Sequence, residues 1–540
     1  MEARIIPTCK RLFLVSALGL GAIAPAGADT NATATNLATY LKARAADGDG
    51  RADLATAGYA RALAAAPTSI VIAARAYREA LSAGDIPLAT RAAGVLRGSV
   101  DAPADVPLLP LAQAAARNDP AGVEAATAAL AATPLVVLAP SLRAWVAFSR
   151  GQDPMPALAT AGKNPVTQRL AAETAALLRI ARGDADGGVA AVQALRATGS
   201  PIDLRLSAGQ LLFGTGHPEA ARTLLSGRDP VFAALRTGVA VQPTLGYGVA
   251  RLLGRIAADL VDQEAASLSV ALARTAMIAY PADDRIRLLL AAALAQDGAV
   301  DGALATLDAI PSDSPFVTAA TGARITILTN ANRNAEALAL TRRNAEQSGS
   351  DSADWQRYAD QLVIAGRYPE AASWFRRIID AARPPGTWSA WLQYGGTLER
   401  AGDWPGARSA LRKAVALGPR EPLALNYLGY ALAERGEDMA TAVTLLERAR
   451  ALEPDDHSIA DSLGWAYYLR GDIARALPLI ERAAAGEPTN AEIGEHLGDL
   501  YWRVGRRYEA RYAWRAAVLT ATPAEASRLN TKIAQGLPKS

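Results

Sequence analysis

Apolar positions in this chain recur with a helical period and almost nowhere alternate in the two-residue rhythm of strands. Around residue 470, Leu463 and Tyr467 stand four apart, and Ala476, Ile480 and Ala483 follow at i, i+4 and i+7. These are one face each of two helices. Gly471 and Asp472 separate them, and a glycine there tolerates the positive φ of a helix C-cap. The pattern predicts a helical hairpin, and the hairpin repeats. Gly395, Gly429, Gly464 and Gly498 lie 34, 35 and 34 residues apart. Ala407, Ala442, Ala476 and Ala510 keep step with them, as do Ala414, Ala449, Ala483 and Ala517. Turn glycines recur at 402, 436, 471 and 505. Pro419, Pro454 and Pro488 close successive units, and Pro523 closes the last one residue late.

Each recurring residue has a physical reason. The mid-helix glycine marks where the second helix crosses the first, and a side chain there would hold the two apart. The first alanine lies on the second helix at the same close approach. Proline ends a unit because it lacks a donor and clashes with the preceding turn. A period near 34 with a glycine, two alanines and a closing proline resembles the tetratricopeptide (TPR) repeat. That resemblance implies an all-α right-handed solenoid of stacked hairpins with a concave groove.

Five units are expected at the C-terminal end, starting near Ser352, Trp388, Pro422, His457 and Ala491. The N-terminal half repeats more weakly. Gly50, Ala55, Tyr59 and Ala62 have the spacing of a second helix, and Gly84, Ala89, Ala93 and Leu96 follow one period later. Gly183, Gly188 and Val192 suggest another turn and helix, and Ala291, Leu294, Ala303 and Leu307 another unit. Prolines break residues 103–165 into short helices, and 227–247, with Pro230, Pro243 and Gly246, has the look of a hinge between two arrays. The expected organisation is a signal peptide at 1–28, divergent helical repeats at 29–229, a hinge with degenerate TPR-like helices at 230–350, and a regular array at 351–540.

Composition changes this picture little. Half of the 540 residues are hydrophobic but only 6% are aromatic, because alanine supplies the excess. The formal charge is +3. Without the first 28 residues, 53 basic and 52 acidic side chains remain, so no overall attraction to nucleic acid is expected. Lys10 and Arg11, an apolar run from Leu12 to Ala24, and Ala26-Gly27-Ala28 form the three parts of a cleavable export signal. Cys9, the only cysteine, precedes that run, so the expected mature chain has no thiol chemistry. No later stretch approaches the length of a membrane span.

The histidines 217, 457 and 496 have no metal spacing between them. His457 is expected to be exposed and His496 to lie at a groove edge. No G-x-S-x-G, P-loop or dinucleotide fingerprint occurs in a strand–turn–helix setting, and Gly246-Tyr247-Gly248 is too short to count. An enzyme, a cofactor and a small-molecule substrate are therefore not expected.

A narrower resemblance covers roughly 250–540. Leu425-Asn426-Tyr427-Leu428-Gly429-Tyr430, Asp461-Ser462-Leu463-Gly464-Trp465, His496-Leu497-Gly498-Asp499 and Tyr501 to Arg506 are similar to the core of an exported proteobacterial TPR family. Its members include an outer-membrane lipoprotein that recruits a carboxyl-terminal processing protease to cell-wall hydrolases. The resemblance implies a periplasmic adaptor whose partner is a protein or peptide, such as a protease or cell-wall hydrolase. This chain departs from the lipoprotein in having no cysteine after its apolar run, which removes the basis for a lipid anchor. The alternative role is a structural component of an envelope secretion, polysaccharide-export or pilus-assembly machine.

In a repeat solenoid the first helix of each unit lines the groove. Counting around the motif glycine gives Asn426, Tyr430 and Ala433, then Asp461, Trp465 and Tyr468, then Glu495, Asp499 and Trp502. Aromatic anchors and carboxylates in a concave wall suit a partner segment bearing Lys or Arg. The lysines that grip carboxylate tails are missing from the pattern. Core packing is expected for Tyr467, Tyr501 and Trp514.

Overall fold

The computed structural model describes residues 30–197, 202–227, 229–261, 263, 265–382 and 386–538. The expected export signal at 1–28 lies outside them. Among the described residues are thirty α-helices, three short 3-10 turns and no strand. The chain forms two compact units that divide between Ile327 and Leu328.

The second unit contains the regular array. Its hairpins pair Ser352–Ile364 with Tyr368–Ala381, Trp388–Arg400 with Trp404–Leu417, and Pro422–Glu434 with Met439–Leu452. His457–Leu469 then pairs with Ile473–Gly486, and Ala491–Arg503 with Arg507–Val518. Each expected starting residue is the first residue of a helix. A Cβ on Gly464 would sit 2.6 Å from Ile480 and 3.2 Å from the Ala476 carbonyl. On Gly429 it would meet Leu446 at 2.7 Å. The turn glycines 402, 436, 471 and 505 all have positive φ, between +64° and +86°. Tyr467 and Trp514 are buried, and Tyr501 is half-buried.

Pro523 does more than close the last repeat. It occupies the first turn of a further helix, Pro523–Gln535, where its missing donor costs nothing. Thr522 and Glu525 form a capping box that fixes the start of that helix.

The first unit begins with hairpins whose first helices include Ile70–Ala83, Leu108–Ala116, Ala139–Ser149, Pro165–Ala181 and Ile202–Gly214. Segment 227–247 lies inside this unit. Asp229 caps the short helix Pro230–Leu235, and Phe232 and Leu235 are buried. The helix Leu245–Leu260 follows and is buried at every position from Leu245 to Ala257. It and Ala266–Ala279 pack across first helices of the preceding hairpins, most of them in one core, with Ala271 reaching the separate core of Ile70–Ala83. Glycines permit this approach. A Cβ on Gly246 would stand 2.5 Å from the Ala279 carbonyl, and one on Gly248 would overlap the Trp145 ring.

A helix enclosed on all sides should be apolar all round, yet this one carries Arg251 and Arg255, each 6% exposed. Both are paired. Arg251 meets Asp203 at 2.5 Å, and Asp203 also faces Arg285, which meets Asp283 at 2.8 Å. Arg255 lies 3.4 Å from Glu173 and also binds Asp259, which binds Arg169. Four arginines thus face four carboxylates. Burial pushes the Asp203 carboxyl up, but Arg251 and Arg285 outweigh it and hold it below its usual range.

Candidate functional groove

The first helices of the second unit frame a cavity of about 560 Å³. Glu399 and Arg400 enter from Trp388–Arg400, and Asn426, Tyr427, Tyr430 and Glu434 from Pro422–Glu434. Asp461 comes from His457–Leu469 and Glu492 from Ala491–Arg503. These side chains converge because a first helix recurs every 34 or so residues, so equivalent positions stack along one face.

Three of the groove residues expected from sequence line this cavity: Asn426, Tyr430 and Asp461. The Tyr430 hydroxyl donates to Glu492 Oε1 at 2.5 Å, spanning two repeats. Burial, then the Glu492 carboxylate, pushes the Tyr430 phenol well up, so it remains a protonated donor. Asn426 Oδ1 is buried and has no hydrogen-bond partner among the described residues. Arg435, at the end of the same helix, meets Glu399 at 2.8 Å. Its guanidinium lies 4.1 Å from the Trp404 ring centroid.

Trp465 and Tyr468 are placed differently. Trp465 is 9% exposed and stacks on His496, with centroids 3.9 Å apart and planes 12° from parallel. The Tyr468 ring also stacks on it, with centroids 4.6 Å apart. The indole N–H of Trp465 donates to Glu434. Trp465 is therefore a supporting wall and not a free anchor. His496 is buried and not at an edge, with Nδ1 2.9 Å from Asp461. Burial opposes its charge, but Asp461 first, then Glu492 and Asp499, raise its pKa above the ordinary value. His457 is half-buried, packed where a Gly486 side chain would otherwise sit.

Glu495, Asp499 and Trp502 are taken by the C-terminal helix. Glu495 accepts both Arg528 (2.9 and 2.6 Å) and Lys532 (2.6 Å). Asp499 accepts Lys532 at 2.6 Å and the Trp514 indole N–H at 2.9 Å. Trp502 packs where a Gly536 side chain would be, 5.6 Å from Trp514. Arg528 and Lys532 stand 33 residues after Glu495 and Asp499, so the extra helix occupies the place of a sixth first helix. Counting around the motif glycine treated the last repeat as open, and it is closed. The Thr522-x-x-Glu525 capping box is the signal in the sequence that marks the covering helix. Sequence counting also passed over Tyr427, Glu434 and Glu492, which lie within one helical turn of counted positions, and over Glu399 in a helix where no position was counted.

No helix among the described residues is long and apolar enough to cross a membrane. Among them, no group of three or more His, Cys, Asp or Glu is arranged to hold a metal.

Comparison with known proteins agrees with this geometry. Residues 355–468 match the family described as the middle TPR-like domain of cilia and flagella-associated protein 70. A TPR repeat-containing protein of Pseudomonas aeruginosa is 40% identical over 76 residues, which is 14% of this chain. The match spans only 13% of that curated relative's length. Among solved structures, a thermophilic TPR protein of Thermus thermophilus aligns over 34% of this chain and 98% of its own, at 25% identity and a TM-score of 0.30. A C-terminal TPR fragment from Cytophaga hutchinsonii aligns over 39% and 86%, at 15% identity and a TM-score of 0.30. TPR arrays are in general non-catalytic interaction scaffolds. The hairpin geometry, its 34-residue period and these sequence matches together identify the chain as a TPR-repeat protein built as an all-α solenoid.

Proposed function

We propose that this protein is a non-enzymatic adaptor of the cell envelope that holds an extended protein segment in the groove of its second unit. The observation that carries the reading is the open cavity lined by Asn426, Tyr430, Asp461, Glu434 and Glu492, with the Asn426 amide oxygen unspent. Acceptors at several heights along a concave wall suit an extended chain, whose backbone N–H groups need partners, and favour Lys or Arg side chains on it. Arg400 and the paired Arg435 are the cations of the lining. The export signal expected at 1–28 and the resemblance to the exported adaptor family support a periplasmic location. By the same resemblance, a periplasmic protease or cell-wall hydrolase is the proposed partner.

The test is affinity capture from an envelope extract with wild type and an Asn426→Ala, Tyr430→Ala double variant. Capture of a protease or hydrolase that falls at least about tenfold in the folded double variant supports the reading. Undiminished capture sinks the groove assignment. Recovery of the chain in the cytosolic fraction sinks the envelope location.

A further inference from the structure

The first unit contains a break in its stacking. Hairpin Ile70–Ala83/Ile86–Leu96 connects to hairpin Leu108–Ala116/Pro120–Ala129 through residues 97–107, not through a tight turn. Pro103 and Pro107 lie in that connection, and helix Ile86–Leu96 touches Leu108–Ala116 only marginally. The gap is a cleft of about 830 Å³. Leu96, Val106 and Leu109 are buried beneath it, and Ala125 and Ala129, one helical turn apart, form a wall. Arg97 is the one ionisable residue of the lining, and it is exposed. Among the described residues it has no carboxylate within ion-pair distance.

We propose that this cleft binds a single linear acyl chain with an anionic head group, the chain along Pro103, Ala125 and Ala129 and the head at Arg97. The volume falls within the range of about 300–1,000 Å³ usual for small-molecule sites. An apolar wall with one cation matches a molecule that is apolar along its length and negative at one end. An extended peptide matches poorly, because its backbone polar groups would be desolvated without partners. Two of the few polar side chains there satisfy each other, since Gln113 Nε2 donates to Thr90 Oγ1 at 3.0 Å. The site is separate from the groove of the second unit, and the inference does not rest on it.

The experiment titrates the full chain with a dansyl-labelled undecanoic acid and then competes with palmitate. Expected results are a blue-shifted rise in emission and its reversal by palmitate. Ala125→Trp and Ala129→Trp fill the cleft from exposed positions, so the fold persists, checked by circular dichroism. Each should weaken the probe at least about tenfold. Arg97→Gln should weaken palmitate by about tenfold, the loss of one charged hydrogen bond, and leave hexadecanol unchanged. No rise in emission, no competition, equal binding by the filled variants, or equal loss for hexadecanol would each overturn the proposal.

Discussion

In the first unit the face made by the first helices of the hairpins is covered by Leu245–Leu260 and Ala266–Ala279. In the second unit the equivalent face is lined by amides, phenols and carboxylates and holds an open cavity. One hairpin geometry thus serves as a closed core in one place and as an open, polar wall in the other. The difference is in the side chains on the inner face. Where they are Leu, Ala and Trp, as at Leu111, Ala115 and Trp145, another helix can seat on them. Where they are Asn426, Tyr430 and Asp461, solvent or a polar partner is the better neighbour. Charge is treated differently as well. The first unit sets Arg251, Arg255 and Arg285, all nearly buried, against Glu173, Asp283 and the half-buried Asp203, an arrangement that adds little net stability but penalises any other register of the helix.

The comparison yields predictions in descending size. Arg285→Ala leaves Asp203 and Asp283 short of a buried partner, and should cost the first unit about 3–5 kcal/mol. Urea unfolding followed by unit-specific proteolysis should show the loss there alone; an equal shift in the second unit would contradict the division at Ile327. Next come the close approaches. Gly248→Leu and Gly464→Leu should each cost about 1–3 kcal/mol or more, in the first and second units respectively. A thermal scan that finds either variant as stable as wild type refutes the corresponding contact.

Smaller effects depend on pH and fall in the second unit. His496 has a raised pKa in the folded state, so its stabilisation is fully present below the unfolded value of about 6.5 and is lost as pH rises through the folded value. The second unit should therefore melt higher at about pH 6 than at about pH 8, and His496→Gln should flatten that difference. Glu495 behaves in the opposite sense. Burial pushes its carboxyl up, but Arg528 and Lys532 outweigh this and hold it at about 2. Its contribution is present above the unfolded value of about 4.3 and disappears as pH falls toward 2. Glu495→Gln should remove that part of the acid transition, seen as an earlier release of the C-terminal helix in hydrogen exchange. Smallest of all, Arg506→Ala breaks exposed pairs with Glu481 and Glu509 and the contact of its guanidinium with the Tyr501 ring, and should shift stability by no more than about 1 kcal/mol. A larger shift would mean that surface pairs matter more in this array than the buried contacts suggest.

Much of the second unit was legible in the residues. Gly464, Ala476 and Ile480 announce a helix crossing, and Gly471 announces the turn, because each answers a requirement set within one hairpin. Asn426, Tyr430 and Asp461, placed by the same count, line the cavity of the second unit. The low exposure of Trp465 was not legible, because it depends on the rings of His496 and Tyr468 stacking against it. Glu495 and Asp499 were misread for a similar reason: a helix beginning at Pro523 supplies Arg528 and Lys532. In the first unit, Gly246 carries the look of a hinge, and Gly248 lies just beyond it. They are helical and make room for Ala279 and Trp145, partners far away in the sequence.

The sequence by itself determined the helices, their pairing into hairpins and the period that stacks them, since these follow from apolar spacing, caps and glycines acting over about a dozen residues. Tertiary structure alone decided which inner face is filled and which stays open. That outcome depends on whether a distant segment carries a surface complementary in shape and charge, as Leu245–Leu260 does for the first unit and Pro523–Gln535 does for the last repeat. No local pattern encodes such complementarity, because it is a property of two surfaces and not of one.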